Sequence, residues 1–114
     1  MTRERRNQAA FDDVAPIFAA LGDETRLRVV NRLCEEGPLS ITRLTEGTNV
    51  SRQAVTKHLR VLETAGLVHS ARDGRENVYE FEPRRIAEAR RLLDVISTEW
   101  DDRLERLRVF VEEE

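Results

Sequence analysis

The hydrophobic period of the chain changes abruptly at Leu67. Upstream, "ITRLTE" and "RQAVTKHLRVLET" carry apolar residues at steps of three and four, the spacing of helices. Downstream, "LVHSAR" and "NVYEFE" alternate, the spacing of strands, and "DGRE" lies between them. Asp-Gly at that place is a strong hairpin signal. Ser40 caps the first of the two short helices and Gly47 closes it; Ser51 caps the second, with Gly66 just past its end. On the hairpin, Leu67, His69 and Ala71 share one face, as do Tyr79 and Phe81 on the second strand. Two short helices that run straight into a hairpin leave few folds open.

The flanks are helical. Residues 1–10 are charged and without apolar period, and are expected to form a flexible N-terminal arm. A first helix is expected from Asp12 or Asp13 as N-cap, with Pro16 in its first turn, then Val14, Ile17, Phe18 and Leu21 at helical spacing before Gly22. Asp23 caps a second, "ETRLRVVNRLCEE", whose Leu27, Val30, Leu33 and Cys34 form an expected buried stripe ended by Gly37 and Pro38. After Pro83 the pattern stays helical to the end. Leu93, Ile96, Trp100, Leu104, Leu107 and Val111 follow steps of 3, 4, 4, 3 and 4, close to a heptad seam. With 114 residues, of which 36% are charged, the chain fits one mostly α (α+β) domain over residues 11–112.

Helix, turn, helix and hairpin in this order predict a winged helix-turn-helix of about five helices, with a two-stranded wing and a long C-terminal helix. In that fold the second helix of the pair enters the major groove. Ala54, Val55, Leu59 and Leu62 must face the core, so Arg52, Gln53, Thr56, Lys57 and Arg60 project outward. Between Ser51 and Val61 there are three basic residues and no acid, whereas Glu99 to Glu114 holds seven acids against three arginines. The net charge of −3 therefore conceals a sorted distribution. Arg and Lys neutralise phosphate or donate to guanine, Gln pairs with adenine, and a Thr methyl touches thymine. The helix start at Ser51 adds free N–H groups suited to phosphate. Arg72 and Arg75 flank the wing turn, placed to straddle a phosphate or to enter the minor groove, and Arg43 on the preceding helix is a further expected phosphate contact. His58 is expected to pack at the edge of the core.

The apolar seam, with Phe11, Val14, Ile17 and Phe18, supplies an expected homodimer surface, and a two-fold dimer reads an inverted repeat. Trp100 falls within the seam as an interface anchor. Cys34, the one cysteine, is expected as a small buried hydrophobe. It leaves no disulfide to form and no thiolate cluster for a metal. An enzyme finds no support: there are two histidines, no Gly-rich phosphate loop after a strand, and no nucleophile with a base and an orienting group. No apolar signal stretch follows Met1, and the longest apolar run, "IFAAL", is too short to span a bilayer, so no membrane partner and a cytoplasmic location are expected.

"LGDETRLRVVNRL", "LSITRLTEGTNVSRQAVTKHLRVLETAGLV" and "RDGRENVYEF" resemble the ArsR-type winged-helix repressors, dimeric transcription factors of prokaryotes. The resemblance runs from about Val14 to Val111. It implies a homodimeric repressor bound to double-stranded DNA at an inverted-repeat operator. Metal-sensing members of that family use Cys-x-Cys on the third helix or Asp and His pairs on the last. Here the third helix reads "ITRLTEG", and no His or Cys follows Pro83, so metal sensing through either site and a cofactor are not expected. The ending "STEWDDRLERLRVFVEEE" is similar to a subgroup often encoded beside a START-like ligand-binding protein. A winged-helix protein-interaction module, or a sensor of a small molecule or redox signal, stands as the alternative, and an effector is left unidentified.

Overall fold

Each helix boundary near the centre of the chain is set by a side chain that accepts an otherwise orphaned N–H. In the computed structural model, which describes residues 3–113 and the side chains of 8–113, the order is α1 (Arg3–Leu21), α2 (Glu24–Glu36), β1 (Leu39–Ser40), α3 (Ile41–Glu46), α4 (Arg52–Thr64), β2 (Val68–Asp73), β3 (Glu76–Phe81) and α5 (Pro83–Glu112). Asp23 accepts from the N–H of Arg26 at 3.0 Å, Ser40 from Arg43 at 3.2 Å and Ser51 from Ala54 at 3.1 Å. Pro83 opens α5, where its missing N–H costs nothing.

α4 ends in a Schellman turn. Gly66 takes φ +78°, its N–H bonds the carbonyl of Glu63, and the N–H of Leu67 bonds that of Leu62 at 2.9 Å. Leu62 and Leu67, the hydrophobic pair of that motif, are both fully buried. The chain thus leaves the helix aimed into β2.

The sheet is antiparallel in the order β1-β3-β2, with Leu39 opposite Tyr79 and Ser70 opposite Tyr79 on the other side. β1, only two residues long, was not expected; it covers the outer edge of β3, and too short a run carries no alternating signal. The wing turn is Gly74-Arg75, closed by the pair Asp73 and Glu76. Gly74 has φ +64° and Arg75 does not have positive φ, the pattern of a type II′ turn.

One hydrophobic cluster joins α1 through Val14, Ile17 and Ala20, α2 through Val29, Val30 and Leu33, α3 through Leu44, α4 through Val55, Leu59 and Leu62, the strands through Leu39 and Val68, and α5 through Ala89 and Leu92. α5 leaves that cluster behind. Every residue from Asp101 to Glu113 is exposed, and the molecule measures 68 × 33 × 21 Å. Its radius of gyration is 19.0 Å, against about 13 Å for a compact chain of this length.

Four expectations need correction. α1 begins at Arg3, not at Asp12 or Asp13, so residues 3–10, expected as an arm, lie in a helix and Pro16 sits inside it. Residues 1 and 2 of that arm fall outside the described residues. Val14 and Ile17, expected on the dimer surface, are 4% and 0% exposed and belong to this chain's own core. On α2 the buried positions are Val29, Val30 and Leu33, so Leu27 and Cys34, seven residues apart and on one side, are exposed. Cys34 is therefore no buried hydrophobe. Local desolvation, with Glu35 adding, holds its thiol above the ordinary range, away from the reactive thiolate.

Candidate nucleic-acid interface

The faces of α4 are divided by its packing. Val55, Leu59 and Leu62 are fully buried beneath the helix, and Arg52, Gln53, Lys57 and Arg60 are exposed above it. Thr56 is half-buried at the border. Its hydroxyl donates to the carbonyl of Arg52 at 2.9 Å and keeps only acceptor capacity for a further partner. Among the described residues, Arg52, Lys57 and Arg60 have no carboxylate partner. Four arginines outside α4 do have such a partner, among them Arg28 with Glu24 at 2.8 Å and Arg32 with Glu36 at 2.9 Å. The α4 cations are held ready for an external anion.

His58 lies half-buried on the flank of α4, a packing position as expected. Its Nδ1 is 3.4 Å from Nη1 of Arg26 and 3.8 Å from Oδ2 of Asp23. Arg26 also donates through Nε to the carbonyl of Ala20 at 2.6 Å, near the end of α1. The Arg26 backbone N–H holds the Asp23 carboxyl below its ordinary pKa; desolvation opposes this, and the charges of Arg26 and His58 add to it.

The wing is a separate element. Arg72, opposite Asn77, and Arg75, in the turn, are both exposed, with Asp73 and Glu76 beside them. At its base His69 bonds Glu80 across the strands at 2.9 Å. Arg43 is exposed on α3, also away from the α4 set, and its carbonyl accepts from Arg32. The structure thus gathers Arg52, Gln53, Thr56, Lys57 and Arg60 on α4 and leaves Arg43 on α3 and Arg72 and Arg75 on the wing.

A helix-turn-helix domain family matches residues 21–71. The HTH-type transcriptional regulator Rv2034 of Mycobacterium tuberculosis is 44% identical over 77 residues, 68% of this chain and 71% of that protein. An ArsR-like transcriptional regulator from Rhodococcus sp. RHA1 superposes with a TM-score of 0.77 at 37% identity, over 87% of this chain and 92% of that one. The chain belongs to the ArsR family of winged helix-turn-helix regulators. As an ArsR-type protein it is a DNA-binding transcriptional regulator. A third relative in structure, a possible ArsR-family regulator from Mycobacterium bovis, has a homodimeric winged helix-turn-helix DNA-binding domain; it is 24% identical with a TM-score of 0.65, over 87% of this chain and 91% of that one.

In this ArsR-type regulator, the residues not marked by sequence are those that tie the helices to one another. Arg26 ties α1, α2 and α4 together, and Arg32 donates to the carbonyls of Arg43 and Leu44 on α3. Arg85 reaches Asp13, 72 positions away. Nothing in residue spacing marks such partners; only the fold brings them together. Among the described residues, no three of His, Cys, Asp and Glu cluster as a metal site would need, and no helix is long and apolar enough to cross a membrane.

Proposed function

We propose that this regulator is a homodimeric repressor that reads an inverted-repeat operator through the outer face of α4 and blocks a promoter by occupying it. The observation that carries the reading is the set Arg52, Lys57 and Arg60, without a carboxylate partner among the described residues, aimed outward because Val55, Leu59 and Leu62 are locked in the core. Gln53 and Arg52, at the N-terminal end of the helix, read base edges; Lys57, Arg60 and the cap at Ser51 hold phosphate. Arg43, Arg72 and Arg75 add backbone contacts, with the wing weakened by Asp73 and Glu76.

Dimerisation is supported by the part of α5 that the core leaves bare. Trp100, at 56% exposure, Leu104, Leu107 and Val111 continue the line of Leu93 and Ile96, and Phe11 and Phe18 of α1 border an apolar cleft of about 330 Å³ with Leu92, Leu93 and Ile96. A lone chain would keep this surface in water, which monomers rarely do. The absence of thiols on α3, and of His and Cys on α5, supports a regulator that does not respond to metal through the usual family sites.

Selection of bound duplexes from a random library tests the reading. A recovered inverted repeat with half-sites about one helical turn apart is expected. Recovery of random sequence, or of nothing at any salt concentration, would point to a protein-interaction module instead.

A further inference from the structure

The turn that ends α4 is also where α1 and α5 are fastened to it. Gly66 has positive φ, and a Cβ there would stand 3.0 Å from Cγ of Arg85, so the stem of Arg85 crosses directly over the end of the recognition helix. Its guanidinium then reaches α1, with Nη1 3.1 Å from Oδ2 of Asp13 and Nη2 2.7 Å from the carbonyl oxygen of Asp13. Glu88, one turn along α5, braces the same group. From the other side, the N–H of Glu82, the cap of α5, bonds the carbonyl of Leu67 at 2.9 Å.

Arg85 is thus more than a surface ion pair. Its side chain is 20% exposed, it makes two bonds to one residue, and one of them goes to backbone, which no side-chain rotation of Asp13 releases. α1 and α5 carry the exposed apolar surface, and α4 carries the donors. The angle between them decides where two reading helices stand about a two-fold axis.

We infer that Arg85 is a positioning residue that locks α4 and the wing at a fixed angle to α1 and α5, and so sets the half-site spacing the regulator selects. This rests on the dimeric DNA-reading function proposed above. Lysine at this place keeps the charge but loses the two-pronged grip, so charge alone does not replace it.

The test is a set of anisotropy titrations on duplexes that carry either one half-site or two half-sites separated by single-base-pair increments. Wild type, Arg85→Gln, Arg85→Lys and Asp13→Asn are compared, with sedimentation and thermal melts alongside. In Arg85→Gln and Arg85→Lys the preference for the best spacing over its neighbours should fall about five- to tenfold, while single half-site affinity and dimer mass stay unchanged. Asp13→Asn, whose carboxylate is 62% exposed and whose backbone bond survives, should show a smaller loss in the same direction and keeps the test sound if Arg85→Gln melts. Unchanged spacing preference in the folded variants, or an equal loss on single half-sites, overturns the inference. Wild type that binds no duplex would instead overturn the DNA-reading function beneath it.

Discussion

Nδ1 of His58, on the inner flank of α4, lies 3.8 Å from Oδ2 of Asp23, the residue that caps α2. Arg26, which donates its backbone N–H to that same carboxylate oxygen, also points Nη1 at the imidazole, 3.4 Å away. The side of α4 turned from the donors is therefore held by a polar tie as well as by Leu59 and Leu62.

That tie makes a pH prediction. The folded Asp23 carboxyl titrates below its ordinary value of 3.8, chiefly because of the Arg26 N–H. A depressed folded pKa gives stability that is present above the unfolded pKa and is lost as pH falls through the folded one. Urea midpoints should therefore drop more steeply for wild type than for Asp23→Asn, which keeps an acceptor but does not titrate, as pH falls through and below the ordinary aspartate range. Parallel profiles would contradict the assignment.

Core and reading face should separate cleanly on α4. Leu59→Ala or Leu62→Ala removes a fully buried side chain and should cost about 2–5 kcal/mol in urea unfolding. Lys57→Ala should change stability by less than about 0.5 kcal/mol.

The exposed half of α5 predicts association without a change of fold. Trp100→Ala should weaken the dimer by about 2 kcal/mol, roughly 30-fold in dissociation constant by sedimentation, with the circular dichroism of the head unaltered. Arg103 lies 5.6 Å from the ring centroid on the same helix, a cation–π contact that the monomer keeps as well.

Base and phosphate contacts should differ in kind. Arg52→Ala and Gln53→Ala should each relax preference at one operator position by about 1–3 kcal/mol. Arg75→Ala should weaken all duplexes alike, measured by competition between operator and mismatched sites.

What could be read from sequence was what depends on neighbours in the chain. Ser40 and Ser51 as caps, Gly66 as a stop and Asp73-Gly74 as the hairpin signal all act within a few residues; caps and stop are found in place, and the hairpin turns one residue later, on Gly74-Arg75. The start of α1 was misplaced because an N-cap signal at Asp12 and Asp13 yields to a helix already running from Arg3. Cys34 and Leu27 sit on α2 at helical spacing, yet which ridge of that helix is buried depends on how α4 and β3 lie against it. The same holds for Val14 and Ile17, which are apolar for the core rather than for a partner. Arg26, Arg32 and Arg85 escaped notice because one arginine in a chain rich in them carries no mark of its partner.

The central claim, that the outer face of α4 meets nucleic acid, is most directly tested by salt dependence. Affinity for a selected duplex would be measured across a salt series for wild type and for the Lys57→Ala/Arg60→Ala double variant. Loss of four cations per dimer should make the slope of log affinity against log salt shallower by about 2 to 4 units. Parallel lines with equal affinity would contradict the account.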